Sequence, residues 1–235
     1  MTSIPKLRGA AVVSGAGSGI GRAIALELAR RGNPLVLLGR RTPPLAATLA
    51  QAAVPGIVRE VDVRDAEAVG EAFAAAAASG FAARIVVPAA GVAHVAPLEE
   101  LSDAALRESI ETNLLGALHL YRTALPAVRA SGGHLFAILS IAARRVFPAW
   151  SAYCASKWGL RGAFDALREE LKGSAVRLTA IYPGATATPI WSGVPGAWDL
   201  AAMIPAEEVA RAVGWALDST VALEEIQLQP LGGDL

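Results

Sequence analysis

Short, largely apolar runs alternate along this chain with longer stretches in which apolar residues recur every three or four positions. The runs fall at residues 11–14, 35–38, 57–61, 85–87, 134–139, 177–182 and 226–229, and each is followed at once by Gly, Pro, Asp or Ser. Runs of that length, closed by turn-forming residues, read as buried strands. The stretches at 22–30, 44–52, 67–77, 104–115, 158–171 and 206–217 read as helices. Strands separated by crossovers of this length pair in parallel and carry helices on both faces of the sheet. The pattern therefore predicts an α/β fold: a doubly wound parallel sheet of about seven strands. Ligands of such sheets bind beyond the carboxyl ends of the strands. Ser14, Gly39, Asp62, Pro88, Ser140 and Pro183 all lie at such ends, so one cleft is expected to collect them.

Composition fits one domain spanning 1–235, with 54% hydrophobic and 18% charged residues. The formal net charge is zero and no basic block occurs, which argues against nucleic acid as a partner. Apolar stretches are broken by Gly, Pro or Arg well before the roughly 20 residues a membrane span needs. Lys6 and Arg8 ahead of an apolar run mimic a secretion signal. That run is also the first strand and the glycine loop, so its removal would destroy the fold, and a cytoplasmic location is expected. The single cysteine, Cys154, excludes an internal disulfide and a cysteine-based metal cage. His94, His119 and His134 are scattered without metal-ligand spacing, and no metal is expected.

Candidate chemistry begins where the first strand gives way to Ser14-Gly15-Ala-Gly-Ser18-Gly19-Ile20-Gly21 and a helix. Glycines there let the backbone approach a diphosphate, whose charge meets the free N–H groups and dipole of the helix start. Tyr153 and Lys157 lie one helical turn apart on one face. A neighbouring ammonium stabilises a phenolate, so a tyrosine pKa below its usual ~10 is expected, suited to general acid/base work near neutral pH. The second strand ends Leu38-Gly39-Arg40-Arg41, without the carboxylate that would bond ribose hydroxyls and repel a 2′-phosphate. Arg40 and Arg41 are placed to grip such a phosphate; the alternative is that they are solvated loop charges.

Together these elements resemble the short-chain dehydrogenase/reductase family. Ser14 to Gly21 is similar to its Thr-Gly-x-x-x-Gly-Ile-Gly loop, and Tyr153 with Lys157 to its Tyr-x-x-x-Lys. Ser140, Asn113 and the segment Pro183-Gly184-Ala-Thr186-Ala-Thr188 also match in order and spacing. One element departs: Pro88-Ala89-Ala90-Gly91 replaces the usual Asn-Asn-Ala-Gly, at a local cost in stability but not in activity. The resemblance implies a Rossmann-like fold and hydride transfer between a nicotinamide and a carbonyl or alcohol carbon. Tyr153 would be the acid/base, Ser140 would bond the substrate oxygen, and Lys157 would hold the nicotinamide ribose. Asn113 would position a proton-relay water. Asp62 and Val63 would meet the adenine, Ala90 and Gly91 would offer backbone contacts, Pro183, Gly184 and Thr186 would also bind the cofactor, and Thr188 would bind the carboxamide. An arginine placed like Arg40 implies NADP (NADPH), with NAD possible but less favoured.

For the substrate, the stretch 189–204 reads as a lid containing Trp191, faced by Val146, Phe147 and Trp150. Such walls suit a small, largely apolar ketone or alcohol. Arg144 and Arg145 could instead meet an acidic group or a carrier protein's arm, as in the 3-oxoacyl-carrier-protein reductases this chain also resembles. A homotetramer or homodimer is expected on the same grounds. Two other classes fit less well: a catalytically silent NADP-binding regulator would be expected to lack Ser140, Tyr153 or Lys157, and a methyltransferase leaves Tyr153, Lys157 and Arg40 unexplained.

Overall fold

The computed structural model describes residues 9–233; Lys6 and Arg8 lie outside them. In chain order the elements are β1 (Ala10–Ser14), α1 (Gly19–Arg30), β2 (Leu35–Gly39), α2 (Thr42–Ala52), β3 (Gly56–Glu60), α3 (Ala66–Ala78) and β4 (Ala83–Pro88). There follow α4 (Asp103–Ile110), α5 (Gly116–Ser131), β5 (Gly133–Ile138), α6 (Ser151–Glu170) and β6 (Val176–Pro183). The chain then forms β7 (Thr186–Ala187), β8 (Ile204–Pro205), α7 (Ala206–Asp218) and β9 (Glu225–Leu228). Seven strands make one sheet in the order β3-β2-β1-β4-β5-β6-β9, every neighbouring pair parallel. The sequence reading of a doubly wound Rossmann-like sheet holds, with most strand limits within a residue of those expected.

Strand alternation divides the core. Val12, Val36, Leu38, Val86 and Leu135 point to a layer shared with Leu120, Tyr121 and Phe164 from α5 and α6. Val13, Leu37, Val87, Phe136 and Ile181 point the other way, onto Ile24 and Leu28 of α1 and Val209 and Val213 of α7. Both faces are dry, which is why these strands read as largely apolar runs. Helix starts follow local chemistry: the Asp65 carboxylate accepts from the N–H groups of Glu67 (2.9 Å) and Ala68 (3.0 Å), and Ser102 Oγ from Ala105 N (3.2 Å).

The helix expected over 104–115 is not regular to its end. It stops at Ile110, passes through a wider π-type turn at Glu111–Leu115, and continues as α5. Pro88 is the last residue of β4, paired with Ser14, where its missing N–H costs no internal ladder bond. The chain leaves β1 for β2 on one side, while β4 lies on the other, so the crevice at the carboxyl ends of β1 and β4 is the switch point of the sheet. No helix of the described residues is long and apolar enough to cross a membrane.

Candidate active site

The glycine loop fills that crevice. Gly15 turns with φ +65°, and a Cβ there would lie 2.7 Å from Ala90 N. A Cβ on Gly21 would lie 2.4 Å from the Gly15 carbonyl oxygen, so the first helical turn packs directly on the loop. Ser14 Oγ accepts from both Ala89 N and Ala90 N at 3.2 Å, bracing the segment that carries Pro88-Ala89 in place of two asparagines. Ser18 caps α1 without using its side chain, and no acid occupies the first turn. The N–H groups and positive end of the helix are therefore open to an anion. The adjoining cleft, about 350 Å³, is lined by Gly15, Ser18, Gly19, Ile20, Gly21, Arg40, Asp62, Val63, Ala90, Gly91, Tyr153, Lys157 and Thr188. This donor set fits a dinucleotide diphosphate.

Tyr153 and Lys157 leave the same face of α6, as the spacing predicts, but their expected coupling is absent. Lys157 Nζ stands 5.7 Å from the tyrosine ring centroid. It donates instead to the Ile138 carbonyl at 2.9 Å, at the end of β5. Burial pushes the Tyr153 phenol up to about 12, with the neighbouring Ser140 hydroxyl acting in the opposite direction. Burial likewise brings the Lys157 ammonium down to about 8. The lowered tyrosine pKa expected from sequence is thus corrected: desolvation outweighs the ammonium, which is turned toward a backbone oxygen. Ser140 begins a 3₁₀ turn and accepts from Ala142 N at 3.1 Å. Cys154, one position on, is buried and free.

Asn113 sits in the π-type turn with both ends of its amide bonded. Its Oδ1 accepts from Val92 N (2.8 Å), and Nδ2 donates to Val92 O (2.9 Å) and Ser156 Oγ (3.0 Å). It fastens the loop after β4 to α6, and one acceptor position on Oδ1 is left for a water.

At the adenosine end, Arg40 lines the cleft, whereas Arg41 is exposed at the start of α2 and lines neither cavity. Sequence reading placed no acid near Arg40. The fold brings Glu108 of α4 to within 3.7 Å of its guanidinium, and His94 Nε2 to 2.9 Å from the same carboxylate. Asp62 is clasped by the Arg64 side chain at 2.6 to 3.0 Å, a bond that holds its carboxyl below the usual range.

The second cavity, about 170 Å³, continues from Tyr153 beneath the segment 189–204, the stretch expected to be a lid. Ser140, Phe147, Trp150, Trp191 and Trp198 line it, as do Pro183, Gly184 and Thr186, which sequence reading assigned to the cofactor. Thr188 and Tyr153 border both cavities. Val146 does not belong to the wall: it is 72% exposed. Arg144 is turned to the sheet edge, where it pairs with Glu225, bonds Gln227 at 3.2 Å and lies 3.9 Å over the Tyr182 ring. It is therefore not available at the cavity for an acidic substrate.

The profile of the short chain dehydrogenase family matches residues 9–196. The chain belongs to that family. It is 39% identical over 178 residues to an uncharacterized oxidoreductase of Myxococcus xanthus, covering 74% of this chain and 70% of that protein. With the sepiapterin reductase of Chlorobaculum tepidum it shares 32% identity over 236 aligned positions, 95% of this chain and 97% of that one. Among solved structures, an alcohol dehydrogenase from the archaeon Thermococcus sibiricus, complexed with 5-hydroxy-NADP, is similar with a TM-score of 0.87 at 30% identity. That alignment covers 95% of this chain and 97% of the other.

As a short-chain dehydrogenase the protein is an oxidoreductase with a nicotinamide-nucleotide fold. Three residues that border the candidate site were not singled out by the sequence reading. Trp198 lies within the lid stretch, but nothing in its spacing set it against the cavity. Ile190 borders both cavities and Glu108 faces Arg40; only the folded chain brings either to the site.

Proposed function

We propose that the protein is an NADP(H)-dependent oxidoreductase acting on the carbonyl or secondary alcohol of a small, largely apolar substrate, with Tyr153 as general acid/base. One observation carries this reading. Tyr153 stands at the junction of a cleft suited to a dinucleotide and an apolar cavity suited to a substrate, with Ser140 beside it in the second and Lys157 in the first.

When bound, the nicotinamide supplies or accepts the hydride. The residues of the chain do the rest. Ser140 donates a hydrogen bond to the substrate oxygen, where charge develops. Tyr153, protonated throughout the neutral range, gives its proton to that oxygen in reduction and recovers it in oxidation. Lys157 holds the ribose end, and Asn113, whose Oδ1 keeps one acceptor position, is suited to hold a relay water. Arg40 binds the 2′-phosphate, and this supports NADP over NAD. The reading extends to a cytoplasmic homodimer or homotetramer: Leu115 and Trp158, on adjoining helical segments, are 40% and 43% exposed.

The test is fluorescence titration with NADPH and NADH, with Arg40→Ala alongside. NADPH should bind more tightly, and the variant should lose about tenfold or more of that affinity, the worth of a charge-assisted bond. Equal binding of the two cofactors by wild type and variant would remove Arg40 from the site.

A further inference from the structure

The substrate cavity has an aromatic wall with its own polar atoms withdrawn. Tyr153, Trp150, Trp191 and Trp198 form a continuous series: Tyr153 to Trp150 at 5.4 Å between centroids, Trp150 to Trp191 at 6.0 Å, and Trp191 to Trp198 at 4.7 Å. The first two contacts are edge-to-face, at 76° and 62° between planes. Trp191 Nε1 donates to the Thr186 carbonyl at 2.8 Å, and Trp198 Nε1 to those of Val194 and Pro195 at 3.2 Å. Thr186 Oγ1 is likewise spent on the Gly184 carbonyl at 3.0 Å. Hydroxyls open to a ligand are therefore those of Ser140 and Tyr153, with Thr188 on the border with the dinucleotide cleft, and the rest of the wall is the aromatic rings together with aliphatic side chains such as Ile141 and Ile190.

From this we infer that the cavity selects a neutral carbonyl compound bearing a single aromatic ring directly beside the carbonyl, an aryl alkyl ketone or its benzylic alcohol. The inference rests on the reductase reading and names its substrate class. Size sets the limit: the cavity, about 170 Å³, is about half the volume of the dinucleotide cleft and suits one ring with a short acyl group better than a fused ring system. Ring chemistry sets the preference, since each ring-on-ring contact adds a factor of roughly two to ten over equal alkyl area. Charge is excluded on both sides. Among the described residues no acidic or basic side chain lines the cavity, and Arg145 sets its guanidinium 5.3 Å from the Phe147 ring, which disfavours a cation against the same wall. Reduction would add a hydride from NADPH to the carbonyl carbon and the Tyr153 proton to its oxygen, giving the alcohol and NADP⁺.

The experiment compares NADPH oxidation with acetophenone, cyclohexyl methyl ketone, 2-octanone, 2-acetonaphthone, trimethylammonio-acetaldehyde and the ring-free 2,3-butanedione. Acetophenone should exceed its cyclohexyl analogue by about tenfold in kcat/KM, the product of two ring contacts. The naphthyl, cationic and linear compounds should fall below it. Trp198→Ala should erase the preference for acetophenone over the cyclohexyl ketone, while Trp198→Phe, which restores a ring, should retain most of it. Calorimetric titration of the NADP⁺-loaded protein with the two ketones reads the same ratio without turnover. Equal handling of the phenyl and cyclohexyl ketones, or a preference for the cationic, linear or naphthyl compound, overturns the inference alone. Inactivity toward every compound, butanedione included, overturns the reductase reading and the inference with it.

Discussion

The Arg40 guanidinium shares its surroundings with an acid from another element: Glu108 stands 3.7 Å away, on α4, and is itself bonded to His94 at 2.9 Å. Both side chains keep contact with solvent, so the attraction between them is weak and easily exchanged for a stronger anion. A 2′-phosphate bound by Arg40 would nevertheless meet the Glu108 charge. Glu108→Gln keeps a partner for His94 and removes that repulsion. NADPH affinity should then rise about two- to fivefold, the worth of one exposed charge pair, with NADH unchanged. Parallel fluorescence titrations decide it; an equal gain for NADH would mean that Glu108 acts on the loop and not on the phosphate.

The buried Lys157 ammonium links stability to pH. Its folded value of about 8 lies below the ordinary 10.5 of a lysine, so the fold disfavours the charged form. Below pH 8 both folded and unfolded chains hold the proton, and the full cost applies, about 3 kcal/mol. Between about 8 and 10.5 the unfolded chain holds more protons, and stability from this group rises with pH. Lys157→Met should lack that rise. The stability of the variant minus that of wild type, read from urea melts at pH 7 to 10, should shrink toward high pH. A constant difference would mean the lysine is not buried as a charge.

The Tyr153 phenol, held up to about 12, is protonated at neutral pH, the form that reduction needs. Oxidation of an alcohol needs the phenolate, so its kcat/KM should climb with pH through the alkaline range, while reduction is sustained at neutral pH and below. Tyr153→Phe should lower both directions by about 10²- to 10⁴-fold, the usual span of general acid/base catalysis, with cofactor affinity little changed. A phenylalanine variant of near-wild-type rate would remove the tyrosine from the chemistry.

Asn113→Ala would leave the Val92 N–H and C=O, together with Ser156, without their partner. Such orphaned groups should cost about 3 kcal/mol in total, a fall of roughly 10 °C in Tm at this chain length. Because Val92 also borders the dinucleotide cleft, NADPH binding should weaken in the same variant. Calorimetry and cofactor titration on one preparation check both.

What was legible in the sequence lies along single elements. The strand ends and the glycine loop follow from local period and turn chemistry, but the single cleft expected to collect the strand ends is divided: Gly39 and Asp62 line the dinucleotide cleft, Ser140 and Pro183 the second cavity, and Ser14 and Pro88 line neither. Misreadings arose where contacts join distant segments or where backbone direction changes. Glu108 and Arg40 belong to helices and loops with no common period. Val146 and Phe147 are neighbours, but this stretch turns sharply, with Ala149 at φ +66°, and sends the ring inward and the valine out. Spacing placed Tyr153 and Lys157 on one face, yet could not indicate that Ile138 would capture the ammonium. The helix at 104–115 reads as continuous because a π-type turn leaves the apolar pattern nearly intact.

The lid has a root independent of its contents. Thr186 and Ala187 pair with Ile204 and Pro205, so the segment between them leaves and rejoins the body at one short two-stranded seam. Closing a loop whose ends are already fastened depends only weakly on its length. Trp191 and Trp198 both lie inside this loop, whereas Tyr153, Ser140 and the glycine turn lie outside it. Past Thr188, Pro189 and Ile190, which border the dinucleotide cleft, the segment is thus an exchangeable cassette: its sequence, and even its length, can diverge to recognise a different partner molecule without disturbing Tyr153 and Ser140.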